Sequence, residues 1–283
     1  MFIEASLKSS RNDVVSQVFL AKEYTDRILR RVHLERLAQL AVVGLSALAV
    51  KQYYSTASVN QLRWILAPAT VIVELVTGSR FEFESNTGYL SSDRSFLIAA
   101  SCAGVNFLIT SFLMLSVGKL WRHRSLRLSW SFIPSAVLFA YFTTIVANTV
   151  RISIALRLHQ TPLKISWLNP AQIHRFEGII IYFGFLLLLY VISEKINDRV
   201  ASLGSENSAS RRRGFGRYRR YLFPLLVYYA VTLGIPLANG AYHQRVEFLE
   251  HAVFVLLIPV LLTLAIVTFQ FCRRGFNSST SLR

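Results

Sequence analysis

The chain has 283 residues, of which 53% are hydrophobic and only 16% charged, a composition too apolar for an ordinary soluble domain of this length. A formal net charge of +16 would suit a nucleic-acid-binding protein, but the basic residues lie between long apolar runs and no nucleic-acid motif accompanies them. The two cysteines, Cys102 and Cys272, lie in separate apolar segments, so neither a disulfide framework nor a metal site is indicated. The composition therefore predicts an integral membrane protein that does not bind nucleic acid.

Six apolar runs are long enough, or nearly so, to cross a bilayer, which takes about 20 residues of α-helix. In chain order they are 37–54, 96–117, 130–156, 176–194, 221–238 and 249–271. A seventh run, 62–77, is shorter and carries Pro68 and Glu74, so we expect it to form an interfacial or re-entrant helix. No cleavable signal peptide precedes the first run, which is expected to remain as a signal anchor. The predicted fold is all-α, a polytopic membrane helix bundle of about six transmembrane helices plus the short helix.

The basic residues predict the orientation of this bundle, because Lys and Arg are retained on the cytoplasmic side. With six spans and a cytoplasmic N-terminus, the cytoplasmic segments hold 22 of the 31 Lys and Arg residues and the outer segments hold 7. These cytoplasmic segments are 1–36, 118–129, 195–220 and 272–283. If 62–77 also crossed the membrane, the basic segments 118–129 and 195–220 would face outward. We therefore predict that both termini are cytoplasmic.

This topology brings three chemically useful side chains to the outer face. Cys102 lies about six residues into a helix that enters from that face, which places it roughly 9 Å below the outer end. Arg151 lies near the end of the next helix, which runs back outward, and His174 opens the helix after that. We therefore expect the three residues to lie near one another.

Each of the three also has an ordinary structural interpretation. A cysteine in apolar surroundings can be inert packing, since burial disfavours the thiolate. An arginine within a span is costly, which makes Arg151 a candidate functional residue, but its head group could also reach the helix end. His174, next to Arg175, could be an ordinary interfacial residue.

Together they supply the parts that acyl transfer requires. A thiol near an arginine cation has its thiolate stabilised, so Cys102 could act as a nucleophile. The guanidinium of Arg151 could also hold a developing oxyanion. Histidine titrates in the useful range, so His174 could take the thiol proton and return it to a leaving amine.

Helical spacing adds four candidate supporting residues. Asn148 lies three residues before Arg151, and Asn106 lies four residues after Cys102. The two asparagines could orient Arg151 or the substrate, or could simply form interhelical hydrogen bonds. The glycines Gly104 and Gly178 are expected to permit close helix approach.

The basic run 211–220 marks a boundary in the predicted organisation, and it could bind anionic lipid or anchor the topology beside a flexible connection. The predicted parts are a cytoplasmic N-terminal tail (1–36), a catalytic membrane domain (37–195), a basic cytoplasmic linker (196–220) and a C-terminal two-helix membrane segment (221–283).

At its candidate residues the chain resembles the exosortase/archaeosortase family of multi-pass membrane cysteine transpeptidases. Three motifs carry the resemblance: Ser101-Cys102-Ala103-Gly104-Val105-Asn106-Phe107, Asn148-Thr149-Val150-Arg151-Ile152 and His174-Arg175-Phe176-Glu177-Gly178. The nearest type resembles exosortase K, because Leu62-Arg63-Trp64-Ile65-Leu66-Ala67-Pro68 and Phe81-Glu82-Phe83-Glu84 precede the cysteine block. The resemblance covers roughly residues 37–195.

The resemblance implies cleavage of a C-terminal sorting signal at the outer, periplasmic face of the bacterial inner membrane. Such a signal consists of a short motif, a transmembrane helix and a basic tail. The family's nucleophile matches Cys102, its arginine matches Arg151, and its third position, Arg or His, matches His174. Ala103 departs from the serine that many exosortases have there, so no role is transferred to a hydroxyl at this position.

The predicted function is that of a membrane-embedded cysteine protease or transpeptidase that forms a thioester acyl-enzyme on Cys102. Its expected partners are membrane-anchored protein substrates and membrane lipid, with no cofactor and no metal, since no His, Cys and carboxylate set has ligand spacing. One alternative is a non-enzymatic transporter or export scaffold component in which Arg151 and Glu74 line a polar path. A membrane acyltransferase, which would need a lipid substrate, is another.

Overall fold

The computed structural model of the protein describes residues 30–122, 128–160, 170–203, 219–238 and 245–280. Most of the predicted N-terminal tail and most of the predicted basic linker lie outside the described residues. The eight α-helices in the described ranges are α1 Arg30–Thr56, α2 Arg63–Thr77, α3 Val105–Arg122, α4 Phe132–Gln160, α5 Pro170–Leu203, α6 Arg219–Tyr229, α7 Ile235–Ala238 and α8 Arg245–Thr280. The predicted all-α membrane bundle is confirmed.

Five stretches in the described part of the chain are long and apolar enough to cross a membrane. They are Arg30–Thr56, Ala100–Arg122, Phe132–Gln160, Gln172–Arg199 and Phe248–Phe269. The sixth predicted span corresponds to the shorter apolar stretch Tyr221–Leu237, where a π-helical turn, Ala230–Gly234, joins α6 to α7. This helical segment therefore differs from the other five in both length and regularity.

The predicted short helix is present as α2, whose 15 residues would extend about 22 Å at a rise of about 1.5 Å per residue. That length falls short of a hydrocarbon core of about 30 Å. Gly78, in a left-handed conformation at φ 74°, ends the helix, and its N–H donates to the carbonyl of Glu74. The buried face of α2 packs on α4, where Trp64 stacks on Tyr141 with ring centroids 5.8 Å apart.

A small antiparallel sheet, which was not predicted, follows α2. Its strands are β1 Phe81–Glu84, β2 Gly88–Ser91 and β3 Leu97–Ile98, in that order across the sheet. The backbone N–H of Phe81 donates to the Glu74 carboxylate over 2.7 Å, which ties β1 to α2. Strand β3 delivers the chain directly to a 3-10 helix, Ala100–Ala103, that carries the cysteine of the first motif.

Two hydrophobic clusters form the interior, and α3 and α4 contribute to both. The first, here called the N-terminal cluster, includes Val43, Leu62, Leu66, Val73, Ile98, Ile109 and Ile152. The second, here called the C-terminal cluster, includes Phe107, Met114, Ala147, Phe183, Leu186, Tyr228 and Val255. The candidate residues lie where these two clusters meet, because Cys102 packs against the first and Tyr182 against the second.

At the opposite end of α3 from the cysteine, Arg122 forms ion pairs with Glu194 and Asp198 of α5. These contacts hold the far ends of α3 and α5 together. The start of α3, the end of α4 and the start of α5 consequently form the other end of the bundle.

Candidate active site

Cys102 lies in the 3-10 helix that precedes α3, within the apolar stretch Ala100–Arg122. The prediction that it lies about six residues inside a continuous helix is therefore wrong. The reason is local backbone geometry. Gly104 adopts a left-handed conformation at φ 69°, which interrupts the helix, and α3 begins only at Val105. The cysteine is therefore held in a turn at the end of the bundle, half-buried and free of any disulfide.

Asn148 fixes the turn that carries the cysteine. Its side chain is fully buried on α4, and its Nδ2 donates to the backbone carbonyl of Cys102. The Asn148 Oδ1 accepts a hydrogen bond from the hydroxyl of Tyr182 over 3.0 Å. Asn148 thus joins the cysteine turn to α5.

Arg151, one turn further along α4, makes two hydrogen bonds with α5. Its Nη1 donates to the Tyr182 hydroxyl over 3.1 Å, and its Nη2 lies 3.0 Å from Nε2 of His174. The guanidinium carbon also lies 5.3 Å from the centre of the Tyr182 ring, within cation–π distance. The thiol of Cys102 is within electrostatic range of this guanidinium.

These contacts form one continuous hydrogen-bond network. It runs from His174 through Arg151, Tyr182 and Asn148 to the carbonyl of Cys102. Its directions are consistent, since Arg151 donates to Tyr182, Tyr182 donates to Asn148, and Asn148 donates to the carbonyl. The second motif contacts the first through Asn148 and the third through Arg151, and Tyr182, which lies outside all three motifs, links these two residues.

Tyr182 was not predicted, although its position carries a signal. It lies eight residues after His174 and four after Gly178, so the three share one face of α5. The Tyr182 ring stacks on Phe107 with centroids 4.9 Å apart, which orients its hydroxyl toward Arg151 and Asn148. A tyrosine on the same helix face as a candidate histidine is therefore the sequence pattern that could have identified Tyr182.

The two candidate glycines lie against this network. A Cβ on Gly178 would lie 3.2 Å from Nε of Arg151, and a Cβ on Gly104 would lie 3.2 Å from the Tyr182 hydroxyl. Contacts this short leave little room for any larger residue. Both glycines consequently allow the polar side chains to approach the neighbouring backbone.

Asn106 lies apart from the network. Its exposed side chain accepts a hydrogen bond from Lys51 Nζ of α1 over 3.0 Å, so among its two predicted roles the interhelical hydrogen bond is the one that is seen. Lys51 itself was not predicted as part of the site. The pair lines one side of the cavity that Arg151 and His174 also line.

This cavity, of about 360 Å³, is bounded by both halves of the chain. From the motif region it is lined by Ser101, Gly104, Asn106, Arg151, His174 and Tyr182. From the last helices it is lined by Tyr228, Val231, Thr232, Ile235, Pro236, His251 and Val255. The cavity is basic, since Lys51, Arg151 and Arg175 line it and no Asp or Glu of the described residues does. Substrate atoms in this cavity would meet Arg151 and His174 beside the turn that holds the thiol.

No group of three or more His, Cys, Asp or Glu side chains in the described ranges could hold a metal ion. The guanidinium of Arg151 and the imidazole of His174 line the cavity, and Cys102 lies in the turn between the lining residues Ser101 and Gly104. Such a set of groups can bind a carbonyl compound, stabilise negative charge and move a proton.

A protein-family model described as transmembrane exosortase (Exosortase_EpsH) matches residues 30–191 of the chain. The matched region is more than half of the 283 residues and contains all three motifs. No curated protein and no solved structure shows a significant match. The match does not extend over α6, α7 and α8, which supply one wall of the cavity. Because the family model matches residues 30–191, the chain belongs to the transmembrane exosortase family.

Proposed function

We propose that this exosortase is a membrane cysteine peptidase or transpeptidase that cleaves the C-terminal sorting signal of exported, membrane-anchored proteins. The observation that supports this most directly is the hydrogen-bond network that runs from His174, which lines the basic cavity, to the backbone carbonyl of Cys102. In this proposal the site lies at the outer, periplasmic face of a bacterial inner membrane and both termini are cytoplasmic. The assignment to the exosortase K type is part of the same proposal.

In the reaction, the thiolate of Cys102 attacks the carbonyl carbon of the scissile peptide bond, and the carbonyl oxygen takes the negative charge. Arg151 favours the thiolate and then stabilises the oxyanion, because its guanidinium is a fixed cation with several donors. His174 accepts the thiol proton and delivers it to the leaving amine as the C–N bond breaks. A thioester on Cys102 results, and attack by water or by an amine acceptor releases the product.

The resting geometry agrees with these roles. A guanidinium has no acceptor, so the contact between Arg151 Nη2 and His174 Nε2 requires an unprotonated Nε2. An imidazole that is unprotonated at Nε2 is able to accept a proton there. Arg151 is itself held in place by Tyr182, so its position does not depend on the substrate.

The alternative of a transporter or scaffold with a polar path through Arg151 and Glu74 finds less support. Arg151 lines the cavity beside the motifs, whereas Glu74 lines a separate depression at the end of α2 with Gly78 and Arg80. The Glu74 carboxylate also accepts the Phe81 N–H, which gives it a structural role at the start of β1.

The decisive experiment is to co-express the Cys102→Ala variant with a protein that ends in a short motif, an apolar helix and a basic tail from the same genome. We expect C-terminal cleavage to be lost in Cys102→Ala and to continue at the wild-type rate in the matched Cys272→Ala control. Cleavage at the wild-type rate in both variants would refute the proposal. Topology reporters at Gly88 and Ser125 test the orientation, with Gly88 expected outside and Ser125 inside.

A further inference from the structure

Glu177 is a buried carboxylate that the roles proposed above leave unused. It lies on α5 one turn after His174, and only 8% of its side chain is exposed. Neither of its carboxylate oxygens has a hydrogen-bond partner among the described residues. A buried carboxylate without a partner is costly, so its nearest polar neighbours are informative.

One polar neighbour of this carboxylate is Nδ1 of His174, the ring nitrogen that does not contact Arg151. Glu177 Oε2 lies 3.5 Å from His174 Nδ1, slightly beyond hydrogen-bond distance, and the carboxylate is also within electrostatic range of Arg151. The imidazole thus lies between a guanidinium at Nε2 and a carboxylate at Nδ1.

This arrangement determines the tautomer of the histidine. Arg151 can only donate, so Nε2 of His174 is unprotonated and the single proton of the neutral ring is on Nδ1. The Nδ1–H then lies beside the Glu177 carboxylate, which is a pure acceptor. A shortening of this contact from 3.5 Å to about 3 Å would bring it within hydrogen-bond distance.

We propose that Glu177 is a positioning residue for His174: it fixes the Nδ1–H tautomer and stabilises the imidazolium that forms when Nε2 takes the proton of the Cys102 thiol. This inference rests on the proposed function. Once Nε2 carries a proton, it no longer accepts from Arg151 Nη2, so that N–H becomes available for the oxyanion. The negative charge of Glu177 meanwhile offsets the new positive charge next to the guanidinium.

Three variants on one helix test this role. Glu177→Gln keeps the shape and removes the charge, and Glu177→Asp keeps the charge on a shorter side chain. Glu194→Gln is the matched control at the far end of α5, where Asp198 still pairs with Arg122. The full chain, labelled with ¹⁵N-histidine in lipid nanodiscs, gives the Nδ1–H resonance of His174, which a His174→Gln variant assigns. Cleavage is measured on the same substrate protein as in the Cys102→Ala experiment.

We expect Glu177→Gln to move the His174 Nδ1–H resonance upfield and to slow cleavage about tenfold or more, as for the loss of one charged hydrogen bond. Glu177→Asp should recover part of both, and Glu194→Gln should change neither. An unchanged resonance or wild-type cleavage in Glu177→Gln would overturn the proposal, as would equal losses in the Gln and Asp variants. If Cys102→Ala itself leaves cleavage unaltered, the proposed function fails, while the resonance still decides whether Glu177 binds His174.

Discussion

Gly178 of α5 lies directly against Arg151 of α4, and a methyl group on this glycine would be only 3.2 Å from the arginine Nε. The residues that bind the guanidinium, His174 and Tyr182, lie four residues before and four residues after the glycine. The arginine therefore crosses α5 at the one position between its two partners that has no side chain.

Gly178→Ala is expected to reduce cleavage about tenfold while leaving the fold intact. The new methyl group would displace the guanidinium by a few tenths of an ångström, and small errors in the placement of catalytic groups are costly. Alanine also favours the helix over glycine by roughly 0.5–1 kcal/mol, which offsets the crowding. Cleavage rate and thermal unfolding of the purified protein measure the two effects.

Gly184→Ala, on the same helix, is the matched control, because nothing lies within 4 Å of a Cβ at that position. It should leave cleavage unchanged. If the two alanine variants behave alike, then close contact at Gly178 has no bearing on activity.

Tyr182→Phe is expected to impair cleavage and stability together. The ring can keep its stacking on Phe107, but Arg151 loses one acceptor and the buried Oδ1 of Asn148 loses its donor. An unsatisfied buried group costs about 1–3 kcal/mol, which chemical unfolding in mixed micelles can detect.

The matched control is Tyr141→Phe, because the Tyr141 hydroxyl donates to the carbonyl of Trp64 and takes no part in the network. That variant should lose about 1 kcal/mol of stability and no cleavage activity. An active Tyr182→Phe would show that the network is not needed for the reaction.

Thr232→Phe is expected to weaken substrate binding by filling the cavity from the C-terminal side. Thr232 lines the cavity in the π-helical turn, outside the region that matches the family. A larger side chain there should raise KM for the substrate protein more than it lowers kcat, since no reacting group moves. Thr268→Phe, on the exposed face of α8, should have no effect. Equal kinetics for the two variants would mean that the last helices do not contact the substrate.

Hydropathy predicts the membrane helices of this protein well, because it depends on the composition of whole segments. The short helix α2 could be recognised because its length, Pro68 and Glu74 are all visible in the sequence. The position of Cys102 could not be recognised, because it depends on the left-handed backbone of Gly104. Mean hydropathy over a window of about 20 residues is insensitive to the conformation of one glycine. The alternation of Phe81 to Glu84 is a strand signal, and it predicts β1 when it is considered by period rather than by composition.

The candidate site, too, could be predicted from the sequence only in part. Topology alone led us to expect Arg151 and His174 at one end of the bundle, and the structure joins them by a hydrogen bond. Which side chains accompany them depends on how each helix is rotated about its axis, and hydropathy does not specify that rotation when a helix is apolar on every side. Tyr182 and Glu177 were missed for this reason, although both lie near His174 along α5.

The core of the N-terminal cluster, apart from Val231, comes from residues between Val43 and Ile152, which include the cysteine turn and Arg151. The two side chains that bind the guanidinium come later in the chain, at His174 and Tyr182. During synthesis from the N-terminus, the nucleophile and its arginine therefore exist before α5 has been made. The site is therefore complete only once α5 has been made and has packed against α4.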